Sequence, residues 1–290
     1  MMKLDTKLKL PLRDDKLVPD NEKFDVVNSC NGLICLSGAN HENPLVVRNP
    51  VTGEFIKLPP GDIKNSLTIL VGSGLGFDPK TNQFKVAEMH ILGTGSWKSV
   101  GAAPFAQECK FPTYLNGAIH WLLDLFDSKQ RIVCFDFESE DFELLPFPSS
   151  LYDRIETEDK VIRNISFGAL RGFLYICDDS TSFQTDIWEM KEYGVPESWS
   201  KVLKIDSCYI KQVGFRGQYK LMNFLTNGAV LMYNSAGRLI YFDPKEERII
   251  YLKVQGAQCR CEAIALVPSL ISLKDAVRGD DVEVLNVNSR

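Results

Sequence analysis

The stretch NGLICLSGANHENPLVVRNPVTGEFIKLP, which covers residues 31–59, decides the fold. Its short apolar runs are separated by Asn-Gly, Asn-Pro and Thr-Gly. Short runs that are rich in Val, Ile, Leu and Phe and bounded by turn residues are typical of β-strands. We predict that Asn31-Gly32 and Thr52-Gly53 each join two strands by a tight turn, and that a longer loop separates the two hairpins.

The same pattern recurs along the chain. An apolar strand follows a turn glycine again at Gly117, Gly172 and Gly228, which lie 55 and 56 residues apart. A hairpin, a loop and a second hairpin at a period of roughly 50 residues are typical of a β-propeller blade. Another all-β fold such as a sandwich would supply the strands, but it does not require this period. We predict an all-β propeller of about six irregular four-stranded blades, one of them incomplete because the unit after Phe77 is short.

Composition excludes several classes of protein. The chain has 290 residues, of which 44% are hydrophobic and 24% charged, and its formal net charge is −5. These values are ordinary for a globular protein, and the mild acidity argues against binding to nucleic acid or to an anionic membrane. No run approaches the roughly 18 apolar residues of a membrane-spanning helix. The eight cysteines lie mostly in strand-like runs, so we expect free buried thiols and a cytoplasmic or nuclear location.

The length and the repeat predict one repeat domain. We assign residues 24–273 to the propeller, with residues 1–23 as an N-terminal segment that could supply a closing strand. Residues 274–290 form a polar C-terminal tail, and the apolar run CEAIALVP (Cys261–Pro268) is predicted as the last strand. The alternation of Lys, Leu and Asp at the amino terminus does not match a secretory signal.

The three histidines give no catalytic pattern. His120 lies in the alternating run AIHWLL and is predicted to be a packed strand residue, as is His90, whereas His41 is expected in a solvated loop. No nucleophile elbow and no histidine pair with metal-ligand spacing is present. We therefore expect no catalytic residue.

Other suggestive segments also have structural interpretations. Cys259 and Cys261 would supply two zinc ligands where four are needed, so no metal is expected. VGSGLGF (residues 71–77) lacks the lysine of a phosphate-binding loop and is predicted as a turn, so no cofactor is expected. FESEDFE (residues 137–143) is predicted as a solvated hairpin tip, and KQVGFRGQYK (residues 211–220) as a crossover between blades.

The strand order places tight turns at one end of each blade and the longer connections at the other. Long loops on a rigid scaffold are where binding usually occurs. Trp121, Trp188 and Trp199 recur at repeat positions and are predicted to pack between blades. Aromatic residues are enriched in interaction hot spots. We predict partner contacts at four aromatic residues of the long-loop end: Trp97, Phe126, Tyr152 and Phe183.

An ordered series of motifs carries a family resemblance. The series is SCNGLICL (residues 29–36), RNPVTGEFIKLPP (48–60), GLGFDPKTNQFKV (74–86), GSWKSV (95–100), LNGAIHWL (115–122), IVCFDFESEDFELLPFP (132–148), DIWEMKEYGVPESWSKVLKI (186–205) and LIYFDPKEERIIYLKV (239–254). It resembles the F-box-associated domain of plant F-box proteins, the kelch-like β-propeller kind. The resemblance covers about Phe24 to Leu273, and its most specific part runs from Trp188 to Trp199.

The resemblance implies protein recognition without catalysis. In that family a helical F-box precedes the propeller and docks on the adaptor of a cullin-RING (SCF-type) ubiquitin ligase, while the propeller captures the target protein. The residues before SCNGLICL show no three-helix pattern, so we expect the F-box to be missing here. The adaptor is then a partner only if an F-box lies upstream. Two alternatives stay open: a decoy or remnant without ligase coupling, and a glycan-binding or enzymatic propeller with a site at its central channel.

Overall fold

A computed structural model describes most of the chain. The described residues are 24–38, 45–58, 73–87, 90–91, 109–123, 131–151, 165–179, 184–206, 218–234, 237–252, 263–276 and 283–286.

Strands make up most of the described residues. They are β1 (Phe24–Cys30), β2 (Leu33–Gly38), β3 (Val46–Arg48), β4 (Glu54–Lys57), β5 (Gly74–Asp78), β6 (Gln83–Ala87), β7 (His90–Ile91), β8 (Cys109–Leu115), β9 (Ala118–Leu123), β10 (Arg131–Asp136), β11 (Phe142–Leu145), β12 (Ile165–Leu170), β13 (Phe173–Asp178), β14 (Gln184–Met190), β15 (Trp199–Asp206), β16 (Tyr219–Phe224), β17 (Val230–Asn234), β18 (Arg238–Asp243), β19 (Arg248–Leu252) and β20 (Leu285–Asn286). A 3-10 turn covers Pro196–Ser198, and a short helix, α1, covers Leu273–Ala276.

The strands form small sheets in which chain neighbours are also sheet neighbours. Three sheets have four strands each, β8–β11, β12–β15 and β16–β19. A four-stranded meander of this kind is the unit of a propeller blade, as the sequence predicted. Two-residue turns with positive φ at both positions, such as Asn31-Gly32 (47° and 89°) and Asn116-Gly117 (52° and 81°), join the first two strands.

The first sheet contains a strand from the far end of the chain. Its order is β1-β2-β3-β4-β20, and in the last pair Leu285 lies opposite Phe55. The prediction of a strand over Cys261–Pro268 is wrong for residues 263–268, which have no strand assignment. The residues that follow, Ser269–Leu273, are held by the side chains of Asn49 and Glu54 rather than by strand pairing. The apolar character of the run was therefore a poor guide to its structure.

The second sheet corrects the prediction for the glycine-rich segment. Residues 74–77, predicted as part of a turn, belong to strand β5, which pairs with β6 in the described sheet β5-β6-β7. A Cβ on Gly76 would lie 1.8 Å from the Phe137 ring, and one on Gly74 would lie 1.9 Å from Ile119. These glycines permit close packing against neighbouring side chains, a role that glycine in a strand often has.

Two compact units organise these sheets. One contains β1–β7 and β20, the other contains β12–β19, and residues of β8–β11 divide between them. In the first unit Leu33, Val47 and Leu75 belong to a fully buried apolar cluster. In the second unit Ile187 and Ile240 belong to another. Burying each such side chain contributes about 1.5–3 kcal/mol to folding.

The described cysteine side chains follow the prediction of buried free thiols. Cys30, Cys35, Cys134 and Cys177 are buried and free, and burial raises the pKa of Cys35 to about 12. The side chains of the other four cysteines lie outside the described part of the chain. Trp121, Trp188 and Trp199 are buried. None of the described helices is long and apolar enough to cross a membrane.

Candidate interaction surface

The four aromatic residues that the sequence singled out cannot be placed. Trp97, Phe126, Tyr152 and Phe183 all lie outside the described residues, so their role in partner contact stays a prediction. Most of the loop residues at the long-loop ends of the sheets also lie outside the described residues. The surface that can be built from described residues lies at the opposite, tight-turn end of the sheet β12–β15.

The turn between β14 and β15, KEYGVPES (residues 191–198), is the main element of this surface. Gly194 has a φ of 78°, and the backbone then enters the 3-10 turn with Pro196 at its first position. Proline suits that position because its φ is already fixed near the helical value. The sequence therefore specifies the path of this turn locally.

Internal hydrogen bonds hold the turn rigid. The Ser198 hydroxyl lies 2.8 Å from the Glu192 carbonyl oxygen and 2.7 Å from that of Val195, and its backbone N–H donates to Val195. The Gly194 N–H points to the Met190 sulfur at 3.2 Å. Trp199, which follows the turn, donates its indole N–H to the Pro146 carbonyl oxygen at 2.9 Å. A turn fixed in this way loses little conformational entropy when a partner binds.

Three apolar side chains are exposed at this end of the sheet. Tyr193 is 42% exposed and Val195 is 37% exposed, both within the turn. Phe173, 37% exposed, begins β13 next to Leu174, which lies opposite Met190. We refer to Phe173, Tyr193 and Val195 as the turn patch. Sequence reasoning missed it because it assigned binding to the long loops and interpreted Trp188–Trp199 as a family signature with two packed tryptophans.

Lys201, Asp186 and Trp188 form a cluster that joins strands β14 and β15. The Lys201 ammonium lies 2.6 Å from Asp186 Oδ2 and 5.1 Å from the centre of the Trp188 ring. The pairing of β14 with β15 shifts register between Ile187 and Trp188, as in a β-bulge. The cation–π contact and the ion pair together hold Lys201 of β15 against β14 at the point where the register shifts.

A second charged cluster lies in the other unit. Lys85 Nζ is 2.9 Å from Asp78 Oδ2 and 3.0 Å from the Phe137 carbonyl oxygen, and Glu140 is 3.6 Å away. Burial opposes ionisation of Asp78, but bonds from Lys85, Thr81 and two backbone N–H groups lower its pKa to about 2. The prediction of a hairpin tip at residues 137–143 is confirmed, although Phe137 is buried rather than solvated.

His120 lies inside the strand sheet rather than at this surface. It is fully buried in β9, and its Nδ1 is 3.3 Å from the Thr113 carbonyl oxygen. Burial lowers the pKa of His120 to about 4, so the ring is neutral at neutral pH. The prediction of a packed strand histidine is confirmed. Among the described residues, no group of three or more His, Cys, Asp or Glu side chains could hold a metal ion.

The fold class is therefore an all-β protein of propeller blades. Comparison with known families assigns it further: the family described as the F-box associated beta propeller domain matches residues 5–273. The chain belongs to this family, which confirms the resemblance seen in the motifs.

Curated relatives are plant F-box proteins of Arabidopsis thaliana. F-box protein At3g07870 is 28% identical over 82% of this chain and 67% of its own length. F-box protein CPR1 is 26% identical over 85% of this chain and 68% of its own. F-box/kelch-repeat protein At3g23880 is 25% identical over 75% of this chain and 63% of its own. The chain thus spans about two thirds of the length of these relatives.

Proposed function

We propose that this chain is the target-recognition domain of an F-box subunit of an SCF-type ubiquitin ligase. Its membership of the F-box associated family supports a role in protein interaction. The observation that carries target capture is the turn patch, in which a rigid turn presents Tyr193 and Val195 to solvent. Tyrosine is among the residues enriched in binding hot spots, and a turn that is already rigid loses little conformational entropy on binding.

Ubiquitin transfer is assigned to other subunits. On this proposal the chain binds and positions the target and performs no chemical step itself. The adaptor contacts the chain only through an F-box joined to it. A cytoplasmic or nuclear location suits both the ligase and the free thiols of Cys30, Cys35, Cys134 and Cys177.

Affinity capture from plant cells tests both parts of the proposal. A tagged chain is compared with a Phe173→Ser, Tyr193→Ser, Val195→Ser variant. Val202→Ser with Leu252→Ser serves as the control, because these exposed side chains lie on β15 and β19, away from the turn. We expect target proteins to be lost from the turn-patch variant and kept by the control, and their ubiquitination to fall when the protein is depleted.

The same capture separates ligase coupling from target binding. Recovery of the adaptor with the chain supports the ligase assignment. Target binding without the adaptor would favour the decoy instead. Targets that bind equally well to the turn-patch variant would show that another surface, such as the one predicted at Trp97 and Phe126, captures them.

A further inference from the structure

The C-terminal segment Ser269–Leu273, which we call the strap, is held on the first sheet by side chains rather than by strand pairing. Asn49 donates its side-chain amide to the carbonyl oxygens of Ser269 at 3.0 Å and of Ile271 at 2.7 Å. Leu273, at the end of the strap, is fully buried in the apolar cluster of the first unit. The strap thus contributes to the core through one leucine.

Glu54 forms the second polar attachment of the strap. The Ser272 hydroxyl donates to Glu54 Oε1 at 2.9 Å, and the Leu273 N–H donates to Oε2 at 2.8 Å. The Thr52 hydroxyl also donates to Oε2, at 3.2 Å. Glu54 is only 9% exposed, so water screens its charge poorly. This arrangement depends on the proton that Ser272 supplies, because a carboxylate oxygen can only accept.

The sequence around Ser272 matches the substrates of one class of protein kinase. Ser272 lies in the run SLISLKD (residues 269–275), in which Asp275 follows it by three positions. Acid-directed serine kinases select an acidic side chain at this spacing. Asp275 is exposed, and it belongs to the one-turn helix α1 that Ser272 precedes.

The chain before Ser272 is also in a form that a kinase can bind. Residues 263–272 have no strand or helix assignment, and Leu270 is 82% exposed. Kinases bind their substrates as extended segments of this kind. Opening of the strap breaks the bonds to Asn49 and Glu54 but no sheet ladder, so it belongs to the local openings that require less free energy than global unfolding.

We propose that Ser272 is a phosphorylation site and that its phosphate releases the strap from the first sheet. The kinase transfers the γ-phosphoryl group of ATP to Ser272 Oγ: a P–O bond to the serine forms, the bond to ADP breaks, and the hydroxyl proton is released. The phosphate carries a charge of about −1.5 to −2 at pH 7. It replaces a donor with an anion at the point where Ser272 contacts Glu54, and like charges at such a contact repel.

The helix that follows Ser272 offsets little of this repulsion. A helix N-terminus favours negative charge, but α1 has only four residues and its dipole is correspondingly small. The Leu273 N–H, which opens this helix, already donates to Glu54. The carboxylate therefore occupies the place from which a phosphate would gain most.

Release of the strap withdraws Leu273 from the core. Its burial next to Leu33 and Val47 is lost when the strap leaves, and so is the bond from its N–H to Glu54. The phosphorylated protein is therefore less stable in its first sheet than the unmodified one. Phosphorylation of Ser272 is thus a switch that adjusts the stability of the domain, and it is independent of the surface that binds a target.

Phosphoserine incorporated at position 272 during expression tests the release directly. Hydrogen–deuterium exchange is measured on the full chain with and without the phosphate. We expect amide exchange in residues 273–276 to become at least about tenfold faster with the phosphate. Exchange in β17 (Val230–Asn234) serves as the control for global unfolding and should not change.

Glu54→Gln identifies the source of the effect. Its side-chain oxygen still accepts the Leu273 N–H, whereas its NH₂ group can donate to a phosphate. We expect phosphoserine at 272 to accelerate exchange much less in Glu54→Gln than in the wild type. Equal acceleration in the two proteins overturns release by Glu54, and unchanged exchange in the phosphorylated wild type overturns release altogether.

Incubation of the folded chain with ATP and an acid-directed kinase of the casein kinase type tests the site. Peptide mass spectrometry assigns the modified residue, since Ser150 has the same spacing to Asp153. We expect phosphate at Ser272 and none in that peptide of the Ser272→Ala variant. The free peptide of residues 266–281 is the control substrate. A folded chain that carries no phosphate at Ser272 overturns the assignment of the site.

Discussion

Lys85 and Asp78 form a buried ion pair within the β5–β6 hairpin, and Lys85 also bonds this hairpin to the one formed by β10 and β11. Their charged atoms are 2.9 Å apart, and the lysine also donates to the Phe137 carbonyl oxygen at 3.0 Å. Both side chains are almost completely buried. A buried pair is weak evidence for net stability, but removing one partner leaves an uncompensated charge.

Replacing only one member of this pair should therefore be costly. We expect Lys85→Met to lower the free energy of unfolding by about 3–5 kcal/mol, because Asp78 then stays buried without its cation. The double variant Lys85→Met, Asp78→Leu should lose less than the single variant. Denaturant unfolding of the wild type, Lys85→Met, Asp78→Leu and the double variant measures the coupling, and equal losses in Lys85→Met and the double variant would contradict it.

Acid should destabilise the protein in two steps that belong to different residues. The pKa of His120 is about 4 when folded and 6.5 ordinarily, so the unfolded state binds more protons between these values. Stability is then lost as pH falls from about 6.5 to 4. The pKa of Asp78 is about 2 when folded against 3.8 ordinarily, so its contribution is present above 3.8 and lost as pH falls toward 2.

Single variants separate these two steps. His120→Gln should flatten the upper part of the pH dependence, and Asp78→Asn should flatten the lower part. Stability is measured by denaturant unfolding at a series of pH values. A His120→Gln protein that keeps the full slope above pH 4 would show that another group carries it.

The strands and tight turns were predictable because their signals are local. Asn31-Gly32 and Thr52-Gly53 join strands as predicted, since turn residues and short apolar runs act over a few positions. The role of Gly76 was not predictable in this way, because it depends on Phe137 in another hairpin. The segment Ser269–Leu273 is similar: its partners Asn49 and Glu54 lie more than 200 residues away in the chain.

The candidate interaction surface was harder to predict from the sequence than the fold. Aromatic character and a predicted place at the long-loop end selected Trp97 and Phe183, which lie outside the described residues. Exposure of Tyr193 and Val195 results from the bonds inside a turn that spans eight residues, and a lone sequence does not show which side chains such a turn leaves in solvent. The ion pair of Lys85 and Asp78 was also missed, because the sequence does not show that these charged side chains are buried.

The rigidity of the turn patch depends on Gly194. Its φ of 78° is left-handed, and no atom lies within 4 Å of a Cβ placed there, so Gly194→Ala tests backbone strain alone. We expect a loss of about 1–2 kcal/mol in the free energy of unfolding. Gly168→Ala is the matched control, because that site is equally open but its φ is not left-handed. Equal effects of the two substitutions, measured by denaturant unfolding, would contradict the assignment.

A substitution at Gly76 tests steric crowding rather than backbone strain, because β5 packs closely against Phe137. At Gly76 a Cβ would lie 1.8 Å from one Phe137 ring atom and 2.4 Å from the next, so Gly76→Ala must displace a buried ring. We expect a loss of about 1–3 kcal/mol, typical of an overpacked core. Phe137→Leu removes the ring edge, so adding it to Gly76→Ala should cost less than the sum of the two single substitutions. Additive losses, measured by thermal and denaturant unfolding, would show that the ring does not limit residue 76.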